Sequence, residues 1–126
     1  MVFDARFLKN PHYVEVLRPL TGLDEAVGTF IETDPDFGPY FAHITGIVDF
    51  LLPRFVQEGK KYATIAIGCT GGQHRTVYLI ERLAVHIGRS GWRVGINHRE
   101  ASRERVGVKK VERQGGDRTK QMSGVE

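Results

Sequence analysis

The sequence is poor in the features that mark secreted, membrane and metal-binding proteins. It has one cysteine among 126 residues, so no disulfide can form within the chain, and a reducing compartment is favoured. It has no run of about 18 apolar residues and no signal-peptide pattern, and we therefore predict a cytoplasmic location. The five histidines show no metal-ligand spacing, and we expect neither a metal nor a cofactor.

Two widespread nucleotide-binding sequences are also missing. Neither Gly-x-x-x-x-Gly-Lys-Ser/Thr nor Gly-x-Gly-x-x-Gly occurs anywhere in the chain. The length fits one domain with a real core, and 40% hydrophobic with 26% charged residues is ordinary for a globular protein.

Positive charge is concentrated near the C-terminus. Residues 1–97 contain 10 basic and 10 acidic residues, whereas residues 98–126 contain 8 basic and 5 acidic residues. Such a segment can contact the phosphates of RNA or DNA, or it can be an ordinary solvated tail. The cations that we expect to contact RNA are Arg99, Arg103, Arg105, Lys109 and Lys110.

Apolar periodicity predicts an α/β domain, a small layered structure with a largely parallel sheet. Thr21 is a candidate N-cap, Pro39 suits the first position of a helix, and Pro53 should kink or divide that helix. The polar composition of residues 115–124 predicts disorder. The predicted strands cover residues 2–8, 62–67 and 92–97, residues 17–20 are predicted to be extended, and helices are predicted at about 21–33, 39–58 and 76–86, the last two ended by Gly59 and Gly88.

The most informative segment runs from Ile65 to Thr76. An apolar strand pattern stops at Gly68, a loop of small residues follows, and a helical pattern begins near Thr76. The start of a helix offers free backbone N–H groups and a favourable dipole for an anion, and glycines let a ligand approach the backbone. Arg75 adds a planar cation suited to phosphate oxygens. We therefore predict a phosphate-binding loop at the carboxyl edge of the sheet.

Two other interpretations of this loop stay open. Cys69 and Arg75 have the Cys-x5-Arg spacing of cysteine-dependent phosphatases, in which a thiolate attacks phosphorus. Against this, Gly68 stands where such enzymes commonly have a histidine, and the possible general acids Asp4, Asp34 and Asp36 lie in no acid-loop motif. The loop can also be a simple strand–helix turn.

Four segments together resemble one known family. The segments are Val2-Phe3-Asp4-Ala5-Arg6-Phe7-Leu8, Asn10-Pro11-His12-Tyr13, Leu17-Arg18-Pro19-Leu20-Thr21-Gly22, and Ala66-Ile67-Gly68-Cys69-Thr70-Gly71-Gly72-Gln73-His74-Arg75, with Asn97-His98-Arg99 at the end. In this order and spacing they resemble the C-terminal domain of the RNase adapter protein RapZ family, whose members are also called nucleotide-binding proteins.

The resemblance implies a fold similar to phosphofructokinase-like α/β domains and a role in binding rather than catalysis. Family members carry an N-terminal P-loop domain for ATP or GTP, so we expect this chain to represent the C-terminal domain without it. In the best-studied branch this domain binds glucosamine-6-phosphate and a small regulatory RNA, presents the RNA to the endonuclease RNase E, and takes part in oligomer formation. A plain oligomerisation domain is a third, weaker interpretation.

The resemblance also implies a set of ligand-binding positions. Loop amides with His74 and Arg75 would hold a phosphate, while Asp4 and His12 would contact a sugar. We expect residues 1–99 to form the phosphosugar- and RNA-binding domain and residues 100–126 to form a basic, flexible tail. The predicted ligand contacts are Asp4, His12, Tyr62, Cys69, Thr70, Gly71, Gly72, His74 and Arg75.

Overall fold

A computed structural model of the chain describes residues 1–98, 110–112 and 121–125. These residues form an α/β domain in which three helices accompany a small, mainly parallel sheet, as the sequence predicted. Within the described residues, no helix is both long and apolar enough to cross a membrane.

In chain order the elements are strand β1 (Val2–Asp4), a 3-10 helix (Pro11–Tyr13), α1 (Glu25–Glu32), α2 (Phe37–Gln57), β2 (Tyr62–Gly68), α3 (Arg75–Arg89), β3 (Ile96–Asn97), β4 (Lys110–Glu112) and β5 (Gln121–Val125).

The sheet has the order β1-β2-β5-β3, and β4 pairs with the first three residues of β5, from Gln121 to Ser123. The four strands of this path run parallel, and only β4 is antiparallel. In the β1–β2 register Val2 lies opposite Ala66 and Asp4 lies opposite Gly68. The carboxyl ends of β1 and β2 therefore meet at one edge of the sheet, directly before the predicted phosphate loop.

The helices pack on one face of the sheet. Ile65 and Ile67 of β2 are buried in the same core as Val27 of α1, Val48 of α2 and Leu79 of α3. The side chains that alternate with them in β2 belong to the opposite face, where Tyr62 and Thr64 are exposed. Burial of one apolar stripe per helix against this face accounts for the two-layer arrangement.

The first strand is shorter than the apolar pattern of residues 2–8 indicated. It ends at Asp4 because the Asp4 carboxylate accepts a hydrogen bond from the Arg6 backbone N–H at 2.9 Å, which turns the chain. The extended conformation predicted for residues 17–20 was also wrong. The backbone instead makes successive turns, in which Leu17 N–H bonds to Val14 and Leu20 N–H bonds to Leu17.

Helix α1 begins at Glu25, four residues after the predicted cap. Thr21 still makes capping contacts, since Asp24 accepts a hydrogen bond from Thr21 N–H and Thr21 Oγ1 accepts one from Leu23 N–H. They stabilise a turn that precedes the helix rather than its first turn. Leu23 consequently lies before the helix and is exposed.

Helix α2 begins at Phe37, two residues before the predicted start, and runs without a break through Pro53. Pro53 is exposed, so the one carbonyl that lacks its helical partner lies on the solvent side of the helix. The predicted end at Gly59 is confirmed. Gly59 has φ = +92°, and the N–H of Lys60 bonds to the carbonyl of Phe55, which is a Schellman ending.

Helix α3 extends to Arg89, beyond the predicted end at residue 86. Gly88 remains helical, and the left-handed residue that ends the helix is Gly91, with φ = +96°. The following strand is also shorter than predicted, because only Ile96 and Asn97 pair with the sheet.

The disorder predicted for residues 115–124 is wrong for residues 121–124. These residues belong to β5, which pairs in parallel with β2 from Gln121 to Val125. The backbone of β2 offers a row of donors and acceptors that a neighbouring strand satisfies, and this tertiary pairing overrides a weak local preference for strand. The predicted division of the chain at residue 99 stays a prediction.

We predict that Gly22 is required for the close approach of its turn to α3. A Cβ atom at Gly22 would lie 2.4 Å from the His74 carbonyl oxygen and 2.5 Å from the Tyr78 nitrogen, both backbone atoms. Gly22→Ala should therefore lower the free energy of unfolding by about 1–3 kcal/mol in urea denaturation. The control Gly46→Ala, in helix α2 with open space around it, should raise it by about 0.5–1 kcal/mol. Equal stability of wild type and Gly22→Ala would contradict the packing argument.

Candidate functional site

The candidate site lies where β1 and β2 end. Gly68 closes β2, and its carbonyl accepts a hydrogen bond from Ala5 N–H at 2.8 Å, which joins the two strand ends. Residues 69–74 then form the loop that leads into α3. The loop therefore lies at the carboxyl edge of the parallel strands, as predicted, which is where open α/β sheets bind ligands.

Two consecutive glycines give this loop its shape. Gly71 has φ = +84° and Gly72 has φ = +64°, a conformation that side chains with a Cβ atom rarely adopt. His74 occupies the N-cap of α3, and its side chain makes no capping hydrogen bond. The first N–H groups of α3 are therefore left without a side-chain cap, an arrangement suited to an anion.

A cavity of about 360 Å³ opens beside the loop. It brings the loop together with the 3-10 helix that follows β1, so two segments about 60 residues apart in the chain share one wall. None of the lining side chains is acidic, which favours an anionic ligand. The lining residues are Asn10, His12, Tyr13, Thr70, Gly71, Gln73 and His74.

His12, one of the predicted ligand residues, lines this cavity opposite the loop. The side chain of Asn10 accepts a hydrogen bond from His12 N–H at 3.0 Å and caps the 3-10 helix. The carbonyl of His12 accepts a hydrogen bond from Arg18 Nε at 2.7 Å. The backbone of His12 is therefore fixed on both sides, while its exposed imidazole remains able to donate to a ligand.

Gln73 and His74 join the loop to the turns at residues 17–22. The Gln73 carboxamide donates to the carbonyls of Arg18, at 3.0 Å, and Leu20, at 2.6 Å. His74 is 5% exposed, and its Nε2 lies 3.2 Å from the Leu17 carbonyl, so Nε2 carries the proton in the neutral ring. Burial lowers the pKa of His74, which keeps the ring uncharged near neutral pH.

Arg75 points into the protein rather than into the cavity. Its side chain is buried, 3% exposed, and Nη1 donates to the carbonyls of Arg6, at 2.5 Å, and Leu8, at 3.0 Å. Arginine was predicted to bind phosphate because its fork fits phosphate oxygens, but the same fork fits two backbone carbonyls. In the structure Arg75 therefore holds the segment after β1 against the start of α3.

Asp4 lies at the carboxyl edge of the sheet, next to the loop, but it does not line the cavity. Arg6 Nη2 donates to its carboxylate at 2.7 Å, and Arg6 Nε lies 3.0–3.1 Å from the two carboxylate oxygens. These hydrogen bonds, helped by the nearby charge of Arg75, hold the pKa of Asp4 at about 2. The carboxylate is thus ionised and already paired.

The structure separates Tyr62 from the other predicted ligand residues. Tyr62 begins β2 and Gly68 ends it, so the two are about 20 Å apart along an extended strand. Cys69, by contrast, lies in the loop next to Gly68 and is half-buried. Its sulfur accepts a hydrogen bond from Thr76 Oγ1 at 2.9 Å.

Three cavity residues escaped the sequence analysis, namely Asn10, Tyr13 and Gln73. Tyr13 and Gln73 lie next to predicted ligand residues, and Asn10 lies two residues before His12. All three belong to the segments that carry the family resemblance, which was the signal that could have found them. A second cavity, of about 370 Å³, lies between α1 and α3, but Glu25 and Glu32 line it and disfavour an anion there. The expected RNA contacts at residues 99, 103, 105 and 109 lie outside the described residues. Lys110 is described only as part of β4.

Comparison with known proteins agrees with the resemblance. The family profile of the RapZ C-terminal domain matches residues 1–102, so the chain belongs to this family. A nucleotide-binding protein of Granulibacter bethesdensis is 56% identical over 100 residues, which are 79% of this chain and 31% of the relative. One of Paramagnetospirillum magneticum is 55% identical over 100 residues, 79% of this chain and 33% of the relative. One of Gluconobacter oxydans is 61% identical over 84 residues, 67% of this chain and 26% of the relative. The chain thus spans about a third of the length of the curated relatives it matches.

The lowered pKa of His74 predicts how stability depends on pH. Below its usual pKa of 6.5 the unfolded chain binds a proton at this residue, whereas the folded protein does so only at lower pH. The free energy of unfolding should therefore hold above pH 6.5 and fall as the pH drops below it. Urea denaturation between pH 5 and 8 measures this fall, which should be smaller in His74→Gln and unchanged in His43→Gln, an exposed histidine of α2. An equal fall in His74→Gln would assign the effect to other groups.

Proposed function

We propose that this domain binds a phosphorylated amino sugar, glucosamine-6-phosphate, in the cavity beside the loop. The observation that carries the proposal is the pairing of an uncapped helix start with a two-glycine loop and an exposed histidine around one acid-free cavity. The phosphate would accept hydrogen bonds from the N–H groups of residues 70–72 and the first turn of α3. His12 would donate to the phosphate or to a sugar oxygen from the opposite wall.

The remaining predicted ligand residues receive revised roles in this proposal. His74 and Arg75 would not bind the ligand through their side chains. They would hold the loop in place, because their side chains are hydrogen-bonded to carbonyls of the surrounding turns. Cys69 lies at the base of the loop and contributes its backbone. Asp4 stabilises the strand end through Arg6, and Tyr62 lies too far along β2 to reach the same ligand.

RNA binding is the second part of the proposed function. The basic residues beyond position 97 follow β3, which ends at the same edge of the sheet as β2 because the strands are parallel. We propose that they contact the phosphates of a small regulatory RNA next to the sugar-phosphate cavity. The domain would then act as an adapter, in an oligomer, that presents the RNA to an RNase E-type endoribonuclease. The proposed contacts are Arg99, Arg103, Arg105, Lys109 and Lys110.

Nucleotide binding, which the names of the relatives state, is assigned in this proposal to a part of those proteins outside this chain. The chain has no Gly-x-x-x-x-Gly-Lys-Ser/Thr sequence and spans about a third of the relatives. This domain would supply metabolite and RNA recognition, and the nucleotide site would belong to the remainder of the full-length proteins.

One observation favours a second candidate, a phosphatase that uses Cys69. The hydrogen bond from Thr76 to the Cys69 sulfur is of the kind that stabilises a thiolate. However, the Nη1 of Arg75 is bonded to two carbonyls, and such an enzyme needs this guanidinium on the phosphate. Turnover of a phosphomonoester that disappears in Cys69→Ser would establish the phosphatase, whereas binding without turnover in both proteins supports the binding domain.

We predict that His12 contributes directly to phosphosugar affinity. His12→Ala should weaken glucosamine-6-phosphate binding by about 1.5–3 kcal/mol in calorimetry, the range for a hydrogen bond to a charged group. Glucosamine without the phosphate should bind wild type far more weakly, because the loop contacts only the phosphate. His43→Ala serves as the matched control, since His43 is exposed on α2 outside the cavity. Unchanged affinity in His12→Ala would remove this residue from the site.

RNA affinity should depend strongly on salt through the C-terminal cations. Each phosphate contact contributes about −0.7 to the slope of log affinity against log salt for single-stranded RNA. Replacing Arg99, Arg103, Arg105, Lys109 and Lys110 by glutamine in the full chain should flatten this slope and weaken binding.

The full-length chain is used because truncation would also remove strand β5 from the sheet. Lys60→Gln with Lys61→Gln, placed before β2 at the opposite edge, provides the charge control. Filter binding that gave equal slopes for the wild type and the five-site variant would exclude these residues as RNA contacts.

A further inference from the structure

Tyr13 is an aromatic residue that the fold leaves exposed at the rim of the anion cavity. Its side chain is 80% exposed, although it lines the same cavity as the loop residues Thr70 and Gly71. A tyrosine usually buries most of its ring, and an exposed aromatic beside a polar cavity is typical of ligand recognition. Tyr13 does not belong to the core of the domain.

The backbone under Tyr13 is held in place. Tyr13 ends the 3-10 helix, which is capped by the side chain of Asn10, and its N–H bonds to the Asn10 carbonyl at 3.2 Å. The ring of Tyr13 meets the ring of His12 edge to face, with 5.5 Å between centroids. A planar platform with a fixed base therefore stands at the mouth of the cavity, and a ligand would stack on it with little loss of conformational freedom.

We propose that Tyr13 is a stacking platform for a nucleobase of single-stranded RNA, one phosphate of which is held by the loop at residues 70–72 when no phosphosugar occupies it. Proteins recognise unpaired bases by combining an aromatic surface with a nearby site for the backbone phosphate. Here the phosphate site and the aromatic ring share one cavity, and the amide of Asn10 and the imidazole of His12, which line the same cavity, would contact base edges. The inference rests on the proposed function, because it requires that RNA binds at this edge of the domain.

Two oligonucleotides of equal charge test the proposal on the full chain. One is a ten-nucleotide oligo(A), and the other is a ten-unit abasic ribose-phosphate chain that lacks the bases. Tyr13→Ala should weaken oligo(A) binding about 5- to 150-fold in fluorescence anisotropy, the range for losing one stacked base. It should leave binding of the abasic chain and the salt slope unchanged, because no phosphate contact is lost.

Two further variants separate stacking from a structural effect. Tyr13→Phe keeps the ring and should retain most of the oligo(A) affinity. Phe50→Ala removes a comparably exposed aromatic from α2, outside the cavity, and should bind both oligonucleotides like wild type. Quenching of 2-aminopurine in place of adenine should occur with wild type and Tyr13→Phe but not with Tyr13→Ala.

The outcomes that would overturn the proposal are distinct from those that affect the proposed function. If Tyr13→Ala binds oligo(A) as tightly as wild type, or loses affinity for both oligonucleotides equally, Tyr13 is not a stacking platform, although RNA binding stands. If wild type binds neither oligonucleotide, the RNA part of the proposed function fails together with the stacking proposal. Phosphosugar binding, measured separately by calorimetry, would be unaffected by either result.

Discussion

Three consecutive side chains, those of Gln73, His74 and Arg75, hold the start of α3 and the loop before it against the segment between β1 and α1. All three donate to backbone carbonyls of the segment between β1 and α1; Gln73 and His74 do so from the wall of the cavity, whereas Arg75 does not line it. The contacts to the Leu17 and Leu8 carbonyls are buried, and a buried carbonyl that loses its donor costs about 1–3 kcal/mol, so these two contacts resist separation of the loop from the turns. Because these three side chains are already hydrogen-bonded to carbonyls, the loop presents mainly its backbone N–H groups to a ligand. Gly71 and Gly72 give the loop the shape that allows this. Gln73 also connects the loop to His12, because it donates to the carbonyl of Arg18, whose Nε donates to the carbonyl of His12.

Because the side chains hold the backbone and the backbone N–H groups face the ligand, the site is suited to binding rather than to catalysis. Catalysis of phosphoryl transfer by a cysteine needs an arginine aimed at the phosphate and a general acid for the leaving group. Arg75 is bonded to the carbonyls of Arg6 and Leu8, and the Asp4 carboxylate is paired with Arg6 at a pKa of about 2, so it is ionised and a poor proton donor. An acid-free cavity with preformed donors needs neither group in order to bind an anion.

The sequence predicted the strand–loop–helix at residues 62–86 and its place at the carboxyl edge, because apolar periodicity and the position of glycines are local signals; only the end of the helix, at Arg89, differed. It could not predict which way Arg75 points, since a guanidinium fits carbonyls as well as phosphate. The end of β1 at Asp4 was missed because a side chain competed with the strand for a backbone N–H. Strand β5 was missed because its place in the sheet is set by pairing with β2, a contact between distant parts of the chain.

The central claim is that the loop before α3 is the anion site of this domain. The most direct measurement is a titration of the ¹⁵N-labelled protein with glucosamine-6-phosphate, followed by amide chemical shifts. The account predicts that the largest shifts occur at Thr70, Gly71 and Gly72 and at the first residues of α3, with saturation at one ligand per chain. Shifts confined to the second cavity, between α1 and α3 and lined by Glu25 and Glu32, or no saturable shift at the loop, would contradict it.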